Sequence, residues 1–145
     1  MNPARLRLAE AMRRLLEVEA GGEIRTTAQG VATATRVHEK LMRHLSPAVG
    51  EAGLDALFSR SIKMTKPAFP SLQELETTGP AQRVLSQFFE HLEKQEAAVL
   101  AEITESLMVT LVRMLSAFIG ERLTWQLLRN AWQDLPSKPP SGDTA

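Results

Sequence analysis

Eleven residues, Leu41-Met42-Arg43-His44-Leu45-Ser46-Pro47-Ala48-Val49-Gly50-Glu51, recur without a gap as Leu111-Val112-Arg113-Met114-Leu115-Ser116-Ala117-Phe118-Ile119-Gly120-Glu121. The offset is 70 residues, six of the eleven positions are identical, and Val49 meets the equally β-branched Ile119. At the same offset Ala11, Arg13 and Leu15 meet Ala81, Arg83 and Leu85, and Leu57 meets Leu127. A chain patterned in this way is expected to use one structural unit twice. Leucines four apart close a helix, a glycine follows where the chain must turn, and a glutamate then opens the next helix at its positive end. The expectation is that Gly50 and Gly120 stand at equivalent turns, where glycine supplies either φ > 0 or a close backbone approach, between the second and third helices of two units, residues 1–70 and 71–136. With Phe118 and Ile119 beside it, the second turn is expected to be the more deeply buried.

The rest of the chain has the same helical rhythm. Leu8, Met12, Leu15 and Val18 mark a first helix from Pro3 to Ala20, stopped by Gly21-Gly22. Thr26 with Gln29 three residues on has the form of a capping box, so a second helix should start at Thr27. Thr27, Gly30, Thr33 and Thr35 make its first half a poor helix by propensity, and packing must hold it. The small residues Ala28, Gly30, Ala32 and Ala34 would let another helix come close. Ser46-Pro47 is expected to end the helix at Leu45. Leu54, Leu57, Phe58 and Ile62 mark a third helix running to Lys66-Pro67, and Ser71 to Glu74 has a second capping-box pattern. Gly79-Pro80 opens a helix with Val84, Leu85, Phe88, Phe89 and Leu92. Leu100, Ile103, Leu107, Leu111, Leu115 and Phe118 then give an apolar arc wide enough for a central, buried helix. A last helix carries Leu123, Leu127, Leu128, Trp132 and Leu135. The fold class is therefore all-α, a bundle of about six helices forming one domain over 1–136, with a disordered tail over 137–145.

Composition excludes several function classes. There is no cysteine, so disulfides, thiolate nucleophiles and cysteine-held metals are ruled out, and a cytoplasmic setting is expected. No stretch is long and apolar enough to span a bilayer or serve as a secretory signal, so the chain is expected neither to be secreted nor to enter a membrane. Seventeen basic side chains balance seventeen acidic ones, which makes nucleic acid an unlikely partner, although Arg60, Lys63 and Lys66 share the third helix. The balance hides a polarity: residues 1–70 carry 11 Lys/Arg and 7 Asp/Glu, residues 71–145 carry 6 and 10, so the halves are +4 and −4. Opposite halves that pack together would orient each other.

Catalytic chemistry has no foothold in these residues. His38 and His44 lack the i, i+4 spacing of a helical metal pair, and His91 between Glu90 and Glu93 lacks the Glu-x-x-His spacing of a di-metal bundle. No nucleophile elbow, phosphate loop or zinc helix motif is present. The expectation is a non-enzymatic interaction or regulatory protein with no cofactor and no metal. Its partners would be a second copy of itself and a further protein of unknown identity. Trp125, Leu128 and Trp132, with Leu135, form a stripe for which core burial is the commoner fate and which is also assigned to a homodimer seam, the two being compatible if the last helix lies at that seam. An alternative is a ligand-sensing bundle whose apolar pocket is lined by Met108, Leu111, Met114 and Phe118.

Overall fold

A computed structural model describes residues 3–140, with side chains from Arg7 onward. Among the described residues there are six α-helices and no strand: α1 Pro3–Ala20, α2 Thr27–Val49, α3 Glu51–Thr65, α4 Ala81–Leu92, α5 Ala97–Ile119 and α6 Glu121–Ala131. The all-α reading holds, and most helix limits fall where the residues place them. Thr26 caps α2 by accepting from the Gln29 amide at 3.0 Å, and Gln29 Oε1 accepts in return from the Arg25 amide at 2.8 Å. In the weak first half of α2, Thr33 and Thr35 turn their hydroxyls back onto the carbonyls of Gln29 and Val31. Gly30 is where α5 comes closest, since a Cβ there would stand 2.6 Å from Leu100 Cδ2. That is the close approach expected of the small residues.

Three limits differ from expectation, one of them at the last helix, which is expected to carry Trp132 and Leu135 but ends at Ala131. α2 does not stop at Leu45 but runs through Pro47 to Val49. Pro47 lies in the last turn, where few later residues depend on the helix ladder, and Ala117 follows the same path in α5. The Ser71–Glu74 pattern opens no α-helix. Two single 3₁₀ turns, Lys66–Ala68 and Pro70–Leu72, occupy the connection instead. Gln73 is drawn backward, its amide donating to the carbonyls of Lys66 and Phe69, while Leu72 and Leu75 are buried as anchors of the loop.

α5 is the axis of the bundle. Nine of its side chains are buried, from Leu100 to Leu115, and α1, α2, α3 and α6 all pack against it. The pairs α2–α3 and α5–α6 are related in a reciprocal way: α3 lies across α5, and α6 lies across α2. Both pairs turn at a glycine, Gly50 with φ 86° and ψ 149°, Gly120 with φ 93° and ψ 149°. At both turns the glycine amide donates to the serine carbonyl four residues back, Ser46 or Ser116, and the glycine carbonyl accepts from the amide four residues on, Leu54 or Thr124. Burial along 41–50 and 111–120 is the same at every position except Met42/Val112. The first helices are not alike. α1 has 18 residues and packs between α2 and α5, whereas α4 has 12 and packs on α3, with only a light approach to α2.

Among the described residues the polarity of the halves appears in the ion pair of Arg13 on α1 with Glu105 on α5 at 2.8 Å. It is exposed and contributes orientation more than stability. The end of the chain is better placed than composition suggests. Trp125 Nε1 donates to the Pro136 carbonyl at 2.8 Å, and Pro139 and Pro140 lie half-buried beside α1. The remainder of the expected disordered tail, 141–145, lies outside the described residues.

Thr124 provides a test of this packing. It is fully buried, and its hydroxyl has no hydrogen-bond partner. Seventy residues earlier the same place is filled by Leu54, also fully buried. Thr124→Val should therefore stabilise the protein by about 1 kcal/mol, because it removes an unsatisfied buried hydroxyl at nearly constant shape. In a thermal melt this is a rise of about 3 °C in the midpoint. A lower midpoint would show that the hydroxyl is satisfied in solution.

Candidate functional site

Trp125 and Leu128 lie on α6, and Trp132 follows directly after its last residue. All three are buried within the chain, at 3%, 0% and 3% exposure, and Leu135 joins them at 4%. Both indole N–H groups are used internally. Trp132 Nε1 donates to Glu19 Oε1 at 3.1 Å, and Trp125 Nε1 is held by Pro136. The expectation that this stripe forms a dimer seam is thus corrected: these side chains are buried where α6 and the turn after it pack within the chain, which leaves them covered before a second copy could meet them.

The Trp132 contact belongs to a polar cluster that sequence patterning did not reveal. Glu19, near the end of α1, accepts from Lys40 Nζ at 2.8 Å and from Arg36 Nε at 3.1 Å, both on α2. Arg36 also donates to the Glu19 carbonyl, and Lys40 Nζ stands 5.5 Å from the Trp132 ring centre. Burial pushes the Glu19 carboxyl up, but the hydrogen bonds from Lys40 and Trp132, the Lys40 charge and Arg36 outweigh it and hold the group below its ordinary range. The cluster fastens α1, α2 and the turn after α6 together. Its partners are 17, 21 and 113 residues from Glu19 in the chain, spacings to which no helical periodicity corresponds.

The four residues assigned to a pocket do not share one. Met108 and Leu111 are buried in the core, Met114 is half-buried with its sulfur 3.4 Å from the Ser61 hydroxyl, and Phe118 is 67% exposed. They descend along α5 from the interior to the surface. Met108 borders a void of about 20 Å³ between α2, α3, α4 and α5, shared with His38, Phe58 and Phe89. That space suits one water and no metabolite. An open groove of about 410 Å³ runs between α1 and the chain end, lined by Arg7, Arg14, Lys138 and Pro139 among others. Among the described residues no three His, Asp or Glu side chains gather closely enough to hold a metal ion, and no helix is long and apolar enough to cross a membrane.

The surface feature that stands out is the corner at Gly120. Phe118 before it and Leu123 after it, at 41% exposure, are large apolar side chains turned to solvent. The corner at Gly50 has the same backbone and the same buried leucines before the turn, Leu41 and Leu45 for Leu111 and Leu115, yet carries Ala48 and Gly53 at those positions. A Cβ at Gly53 would stand 3.5 Å from Val49 Cγ1, which places positions 49 and 53 side by side across the turn. By the same geometry Leu123 lies beside the half-buried Ile119. The fold makes this corner at Gly50 without any large exposed apolar group, so Phe118 and Leu123 are not needed to make it. Burial of Phe118 was expected because it continues the 3-4 rhythm of α5. The rhythm outlasts the core, which ends one turn earlier at Leu115. Compared with known proteins, the chain matches no family model, no curated protein and no solved structure.

Proposed function

We propose that this chain is a non-enzymatic helical interaction or regulatory protein that forms a homodimer through the Phe118/Leu123 corner, with a further protein partner as its target. The observation that supports this reading is the difference between the two corners. They share the backbone of the turn and nearly the same burial up to the glycine, and only one carries exposed Phe and Leu where the other has Ala and Gly. An exposed phenylalanine loses its hydration penalty when a partner covers it, and a corner that is the same patch on both copies can pair about a two-fold axis. Duplication of an α–glycine–α unit accounts for the matched strings, with the second copy's corner diverging toward binding. The ligand-sensing alternative loses its pocket, because Phe118 belongs to the surface. The nucleic-acid reading rests only on Arg60, Lys63 and Lys66 in a chain of zero net charge. Light scattering over micromolar concentrations tests the dimer. Self-association should give twice the 16.0 kDa of one chain, and a constant single-chain mass across that range would contradict it.

A further inference from the structure

His38 projects from α2 into the place where four helices meet. Its ring is edge-on to Phe58 of α3, with centres 4.8 Å apart, and to Phe89 of α4 at 5.7 Å, and Phe89 in turn meets Phe88 edge-on. The ring borders the 20 Å³ void, and its Nε2 is shut off from solvent with no hydrogen-bond partner. The nearest hydroxyl in the lining, Thr104, donates to the Leu100 carbonyl. A neutral imidazole tolerates one unpaired nitrogen here. An imidazolium has two N–H donors and a full charge, and no protein group in the niche accepts from the buried one.

The charged groups acting on the ring are Glu39 from its own helix and Asp55 from α3. α4 presents Leu85, Phe88 and Phe89 to the niche, and α5 presents Thr104, Leu107 and Met108, none of them charged. Burial pushes the imidazole down, and the two carboxylates oppose it without prevailing. Of the helices around the niche, α4 has the weakest attachment. It is 12 residues long, begins at Pro80 without a side-chain cap, follows Gly79 at φ 98°, and rests mainly on α3. Its far end is tethered, because Thr27 at the start of α2 donates its hydroxyl to the Gln95 carbonyl just beyond α4.

We propose that His38 is a proton-operated latch on α4. The neutral ring seats Phe88 and Phe89, and protonation unseats them, letting α4 swing on its tethered end and expose Val84, Leu85, Phe88 and Leu92, all buried in the closed state. The open form leaves the imidazole in water and binds the proton more readily than the closed form. The closed form is therefore fully favoured above the ordinary histidine value of 6.5 and loses ground as the pH falls below it. The open face is an apolar helix surface that is available only in mildly acidic surroundings.

Amide hydrogen exchange at pH 7.5 and 5.5, corrected for the intrinsic rate, tests the latch. Residues 81–92 should lose protection on acidification, by up to about tenfold per pH unit for one linked proton, while α5 keeps its protection. His38→Gln, which is polar but does not titrate, should abolish the response. His38→Phe should abolish it as well, so a folding defect in one variant leaves the other to decide. His91→Gln, on α4 itself, should leave it intact. Equal protection of α4 at both pH values, or a response that survives in His38→Gln, would overturn the proposal.

Discussion

Replacing Gly50 or Gly120 by alanine is expected to destabilise the protein by about 1–3 kcal/mol at either site, and by more in the double variant. Both residues lie near φ 90° and ψ 150°, a region that a side chain with a Cβ enters only under strain. The space around them is open, since a Cβ at either position would meet nothing within 4 Å. The penalty is therefore one of backbone conformation and not of crowding. Alanine and serine should cost alike, and shortening neighbouring side chains should rescue neither. The two sites should also suffer equally. Phe118 and Ile119 were expected to bury the second corner more deeply, but Phe118 is exposed, and Ile119 is half-buried just as Val49 is. Urea unfolding is the measurement, read as a lower midpoint at unchanged slope. Alanine variants as stable as the parent would mean that α2 runs on into α3, or α5 into α6, as continuous helix.

Glu19→Ala should cost about 2 kcal/mol at neutral pH. The carboxylate is 9% exposed, and its removal leaves the Trp132 N–H without an acceptor as well as two unpaired cations. The cations limit the loss, because Arg36 and Lys40 are exposed enough to be rehydrated. The same cluster gives a pH signature. A carboxyl held below its ordinary value of 4.5 contributes stability that is present above that value and is lost as the pH falls through its lower value in the folded chain. The stability difference between the parent and Glu19→Gln should accordingly be constant from pH 7 to 5 and close below about 4.5. Denaturation at three pH values checks it, and a difference that persists unchanged into acid would show that the Glu19 charge is not held by its partners. This acid window is separate from that of His38, which opens nearer neutrality.

The sequence carries the helices more plainly than the site. Periodicity located α5 and the faces of α1, α3 and α4 because burial of one apolar stripe per helix is a local, repeating requirement. The glycine corners were legible because one string occurs twice, with glycine at the same place in each. Pro47 misled because its effect depends on position: one turn earlier it would have broken α2, but in the last turn it displaces little. The Ser71–Glu74 pattern misled because the amide of Gln73 found two loop carbonyls to bind instead of a helix start. The Trp125/Leu128/Trp132 stripe has the composition of an interface and of a core alike, and only the position of α2 beneath it decides between them. Glu19 could not be found at all, since its three partners are joined by tertiary packing alone.

The corner itself is the sharpest point at which to test the account. Phe118→Ala with Leu123→Gly converts the second corner to the residues of the first and removes two large apolar side chains that face solvent. Sedimentation velocity of this double variant beside the parent, over the concentration range in which the parent associates, is the direct measurement. The variant is expected to melt a few degrees lower, since glycine in the first turn of α6 costs about 1 kcal/mol, and to keep a single-chain sedimentation coefficient throughout. Association that persists in the variant as strongly as in the parent would place the interface elsewhere and contradict the account.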